Sequence, residues 1–200
     1  PGLARGTVVA VTRNRLPAVY GCWRRAPPRA SWQDATRGAW QTGIMRVYLP
    51  ATAADLTAPA LSPRTAHAAT ASLAAALPDE DEEGLEVSAS LCAADASVLL
   101  LAEPGASGLA DRRVVIAADV DADSARELEP SEDVLPGTVG LEADVSWDDV
   151  AAILIDGPEA EPDVRSARTG DEEAFERAAE ADLLWYDVSE RPALASELGF

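Results

Sequence analysis

The hydrophobic and polar positions of this chain fall into a coherent pattern from Met45 onward. Val47 and Leu49 alternate with Arg46 and Tyr48, a period of two that predicts a strand with one buried face. Pro50 has no N–H to give a ladder, so the strand is expected to end there. Ser62-Pro63 has the chemistry of a helix start, serine capping free N–H groups and proline fitting the first turn. A helix is expected from there to Leu77, with Ala66, Thr70, Leu73 and Leu77 on one face and Pro78 as the stop. Residues 90–102 put Leu91, Ala94, Val98 and Leu101 on a helical stripe. Residues 85–89 fit either a strand or an earlier turn of that helix.

Val114-Val115-Ile116-Ala117-Ala118 is a continuous apolar run, the pattern of a strand buried on both faces. Val139, Leu141, Ala143 and Val145 alternate with polar residues and glycine, as in a strand with one wet face. Ser146-Trp147-Asp148-Asp149 resembles a capping box and opens a brief helix, after which Ile153-Leu154-Ile155 is a second buried strand. Helices are expected over 159–168 and 171–181, a last strand over 183–187 and a short helix after Pro192. The acid-rich interval 120–138 reads as an exposed connection. Strands alternating with helices, two of them buried on both faces, predict one α/β (or α+β) domain. Its sheet is expected to be mixed or mostly parallel, with five to six strands and helices packed on it.

Charge divides the chain where the pattern begins. All sixteen basic residues are arginine, and the net charge is −19. Residues 1–44 hold seven arginines and one acid, whereas 45–200 hold nine arginines and 34 acids, a formal −25. Trp23, Trp32 and Trp40 lie in the basic part among arginine and proline, with no helical or strand period. A basic arm with stacking aromatics could bind nucleic acid. The reading adopted is a non-native or disordered basic extension over 1–44, with Met45 as the start of a single globular domain over 45–200. A charge of −25 repels phosphate, so no nucleic acid is expected on that domain, and a basic protein partner suits it better. No run approaches the ~20 apolar residues of a membrane span. A soluble, cytoplasmic protein without membrane contact is the expectation. Cys22 and Cys92 show no metal-ligand or disulfide spacing, and Cys92 reads as a small apolar residue of an alanine-rich helix.

Few residues offer chemistry. Asp119, Asp121 and Asp123 occupy positions one, three and five of a calcium-loop pattern. Ser124 stands where the turn glycine is needed and Pro130 where the closing glutamate is needed, so no metal is expected. His67 is the only histidine and reads as a surface or boundary residue of the expected helix. Gly105 and Gly108 follow a helix, whereas phosphate loops precede one. No Gly-x-Ser-x-Gly occurs, and no cofactor is expected. Acidic residues 79–83 read as a solvated loop or an acidic first helical turn. Trp185 and Tyr186 point to opposite sheet faces. The candidate ligand-binding groups are Tyr48, Asp119, Asp156 and Tyr186, all placed near strand ends. Two functions follow: a non-enzymatic accessory or protein-interaction domain, or a small-molecule-binding protein or enzyme using those carboxylates and tyrosines.

Three stretches carry a resemblance: Met45-Arg46-Val47-Tyr48-Leu49-Pro50-Ala51-Thr52, residues 112–120, and Leu183-Leu184-Trp185-Tyr186. In this order over 45–200 they resemble a family of uncharacterised actinobacterial proteins, a domain of unknown function that begins with the first motif. The resemblance implies no activity and no catalytic residue.

Overall fold

The computed structural model describes residues 43–200. The expectations for the first 42 residues, including Trp23, Trp32, Trp40 and Cys22, fall outside them. Seven strands form one sheet: β1 (Ile44–Ala51), β2 (Thr65–His67), β3 (Val114–Asp121), β4 (Ala125–Glu127), β5 (Thr138–Leu141), β6 (Val150–Asp156) and β7 (Leu183–Tyr186). Their order is β4-β5-β2-β1-β3-β6-β7, and every neighbouring pair is antiparallel. This overturns the expected mixed or mostly parallel sheet of five to six strands; the domain is α+β. The apolar run of β3 does report burial on both faces. It carries no information about strand direction, because helices and loops packed on the two faces bury an antiparallel strand equally well.

Among the described residues five α-helices accompany the sheet: α1 (Ala71–Ala76), α2 (Glu82–Leu101), α3 (Glu161–Ala167), α4 (Glu172–Glu180) and α5 (Arg191–Glu197). Leu85, Ala89, Ala93 and Ala94 of α2 pack with Tyr48, Val115, Ala117 and Ala152 on one sheet face. The opposite face sends Val47, Leu49, Val114, Ile116, Ile153 and Ile155 against Leu56, Leu61, Leu194 and Leu198. Each of these buried aliphatic side chains contributes up to roughly 1.5–3 kcal/mol by leaving water. The acidic run sorts itself at the start of α2. Asp81 accepts a hydrogen bond from the Gly84 N–H, and Glu82 and Glu83 occupy the first turn, facing the positive end of the helix dipole. With 20 residues, α2 has the length and composition of a membrane span, contrary to the sequence reading, yet much of it is buried inside the fold.

Three local expectations change. The segment read as a helix from Ser62 is a bridge, Leu61 to Val145, followed by β2 on β5; only the last part is helical. Thr70, not Ser62, caps that helix, accepting from the Leu73 N–H at 3.3 Å. Pro50 lies inside β1 rather than ending it. In a strand, N–H and C=O of one residue point to the same side, and the Pro50 carbonyl accepts from Arg64 Nη1 at 3.2 Å, beyond the end of β2. The missing N–H therefore faces away from the β3 ladder. The interval 120–138 also contains a strand, β4, at the sheet edge. Gly137 enters β5 at a φ of 84°, where a Cβ would meet the Ala68 carbonyl at 3.0 Å, so this turn requires glycine.

Candidate functional site

The alternation of β1 and β3 places Arg46, Tyr48 and Asp119 on the α2 face. Arg46 and Asp119 are direct cross-strand neighbours and form a two-pronged ion pair, with Nη2 to Oδ2 at 2.8 Å and Nε to Oδ1 at 2.5 Å. Tyr48 donates to Glu86 Oε2 of α2 at 3.3 Å. Burial, and then the Glu86 charge, push the Tyr48 hydroxyl up to about 12. It is a proton-bearing donor at neutral pH and cannot serve there as a base. Arg46, acting on both Tyr48 and Asp119, links them into one polar chain with Glu86.

Asp156 ends β6 at the other end of β3. It accepts from the Arg113 N–H at 2.7 Å, from Arg113 Nε at 3.0 Å and from Arg113 Nη2 at 2.7 Å. Both side chains are buried, and Arg113 Nη2 also donates to the Ala181 carbonyl. Asp156 therefore serves as a structural counter-ion and closes the seam between β3, β6 and the end of α4. Six residues of extended chain separate its level on β3 from Asp119, roughly 20 Å at the usual strand rise. Tyr186 opposes Ile153 in the ladder and packs on the other sheet face. Of the four sequence candidates the structure joins Tyr48 and Asp119, and leaves Asp156 and Tyr186 apart from them.

A cleft of about 290 Å³ opens beside Asp119 at the end of the sheet. Val120, Leu141, Ala143 and Val145 supply its apolar lining; Asp119, Asp121, Asp144, Asp149 and Ser124 supply its polar one. The backbone holds this rim firmly. Asp121 Oδ1 accepts from the Asp123 N–H at 3.0 Å, and the Ser124 hydroxyl donates to the Asp121 carbonyl at 2.6 Å. The Val145 N–H donates to the Leu61 carbonyl at 2.8 Å. Among the described residues no three histidine, cysteine or acidic side chains are placed to hold a metal ion. Asp121 caps the turn through the Asp123 N–H, and Asp119 is paired with Arg46.

Sequence reasoning missed Arg46, Glu86, Asp144 and Asp149. The cross-strand register brings Arg46 to Asp119, and no one-dimensional pattern displays it. Glu86 lay in the stretch that periodicity left unassigned. His67, expected at a helix surface, instead lies on β2 with 6% of its surface exposed, directly opposite Tyr48. Burial lowers its pKa to about 4, and Nδ1 has no hydrogen-bond partner among the described residues.

Fold and site together define a seven-stranded antiparallel α+β domain with an acidic cleft at one sheet end. The chain belongs to a family of unknown function, DUF6912, whose pattern matches residues 45–195. No curated protein and no solved structure matches it.

Proposed function

We propose that the domain is a non-enzymatic interaction module that docks a basic segment of a protein partner at the acidic cleft. The observation that carries this reading is the composition of the cleft, with aspartates around an apolar floor. An arginine or lysine suits both parts at once, its stem lying on Val120, Leu141 and Val145 and its head among the carboxylates. The excess of 34 acids over nine arginines across 45–200 adds long-range attraction for such a partner. The separation of Asp156 and Tyr186 from Tyr48 and Asp119 supports it further, since small-molecule sites gather their polar groups.

The test is affinity capture on the full chain, beside the same chain carrying Asp121→Asn and Asp144→Asn. A basic protein retained by the former and lost from the latter is the expected result. A metabolite that stabilises the fold by about 2.7 kcal/mol at a hundred times its dissociation constant, with no protein captured, would overturn it. The small-molecule reading draws on one specific group, the Arg46–Tyr48–Glu86–Asp119 chain. A metabolite-induced thermal shift abolished by Tyr48→Phe would favour that reading.

A further inference from the structure

β7 is the last strand of the sheet, paired with β6 on one side and with no strand on the other among the described residues. Its outer N–H and C=O groups form an open template for another strand. The side chains along it are arranged to match. Leu183 packs into the cluster under α2, and Tyr186 into the cluster on the opposite face. Those two contacts anchor the ends of the strand. Its two middle residues, Leu184 and Trp185, project to opposite faces and remain 42% and 62% exposed.

Natural edge strands usually carry a charge or a proline to prevent pairing. β7 carries neither within its four residues. The charges lie outside it and have one sign: between Arg177 and Arg191 the chain holds Glu180, Asp182, Asp187 and Glu190 and no basic residue. A second copy would bring the same acids against themselves. A strand bearing arginine would neutralise them, and an arginine opposite Trp185 could lie on the indole face. The protein already uses that contact, with the Arg191 guanidinium 4.2 Å from the Trp147 ring centre.

We infer that the free edge of β7 accepts an extended, arginine-bearing segment of a protein partner as an eighth strand. The segment would set an arginine opposite Trp185 and an apolar residue opposite Leu184. Main-chain hydrogen bonds would supply affinity, and the two side-chain contacts would supply register. The charge of the segment rests on the basic-partner reading above, while the edge itself is a separate surface from the cleft.

The experiment is amide hydrogen exchange on the full chain, with and without synthetic peptides of about six residues, the usual strand length. One peptide alternates arginine and valine; the control alternates glutamate and valine. The expected result is exchange about tenfold slower in Leu183–Tyr186 with the arginine peptide only. Trp185→Lys, a change at an exposed position, should abolish the slowing, and Asp121→Asn with Asp144→Asn should leave it intact. No slowing in β7 at saturating peptide would overturn the edge site. Equal slowing by both peptides would overturn the partner's charge and leave the edge standing. Protection that rises with protein concentration alone would replace the partner with a second copy. Loss of slowing in the cleft variant would show that β7 is not an independent site.

Discussion

His67 is the residue with the largest consequence for pH. The unfolded imidazole titrates near its ordinary 6.5, whereas the buried one titrates at about 4. Between those values the unfolded chain binds the extra proton, so stability rises with pH across the window. The contribution is complete above 6.5 and is lost as the pH falls toward 4. Linkage puts the loss at roughly 2 kcal/mol by pH 5. Urea unfolding at pH 7 and pH 5 should show that difference in the wild type, and His67→Leu should remove most of it. A variant as pH-sensitive as the wild type would assign the effect to carboxylates instead. This site was not legible in advance, because an alanine-rich stretch with a serine-proline start reads as helix. Only the pairing of Ala66 with Val139, far along the chain, makes it a strand. Asp156 shows the same limit. Its position at a strand end suggested an available ligand group, and its partner Arg113 appears only when β3 and β6 are laid side by side.

At the scale of elements, the Ser97 hydroxyl ties α2 to the sheet where β1 meets β3. Ser97 donates to the Ala51 carbonyl at 2.7 Å, at the end of β1, and accepts from the Val114 N–H at 3.0 Å, at the start of β3. Both backbone groups lie where the ladder between β1 and β3 runs out, and both are buried. Ser97→Ala leaves a donor and an acceptor unsatisfied, each costing about 1–3 kcal/mol. The expected outcome is a fall of roughly 2–4 kcal/mol in unfolding free energy by denaturant titration, with the slope unchanged. Ser97→Thr keeps the hydroxyl and should recover part of the loss. The stripe of α2 that includes Ala94, Val98 and Leu101 was visible from periodicity, as were β3, β6, β7, α3, α4 and α5, each within a few residues. These elements have strong apolar periods or clear stops. β2 and β4 have three residues each, too few for any period, and so their sequences resemble helix and loop.

For the molecule as a whole, direction and charge are the two properties that the pattern treats differently. Strand direction depends on which distant segments pair, and a run such as Val114–Ala118 looks the same in a parallel or an antiparallel neighbourhood. Charge is fully legible, and the structure shows how it is distributed. Eight of the nine arginines among the described residues form ion pairs with acids, and the ninth, Arg191, lies over Trp147. Little positive charge is therefore left among the described residues to offset their remaining carboxylates, and this part of the folded chain carries net self-repulsion. Unfolding moves those charges apart and relieves it. Salt shortens the screening distance from about 30 Å at 0.01 M to about 3 Å at 1 M, which weakens repulsion among exposed acids first. The buried Arg113–Asp156 pair, shielded from solvent, is scarcely touched. Thermal unfolding should therefore occur at a higher temperature as sodium chloride is raised from low to near-molar concentration. Most of the rise should come in the first few tenths molar, where screening changes fastest. A melting temperature that falls with salt over that range would mean that exposed attractive pairs outweigh the acid excess, and would count against the electrostatic basis of the proposed basic partner.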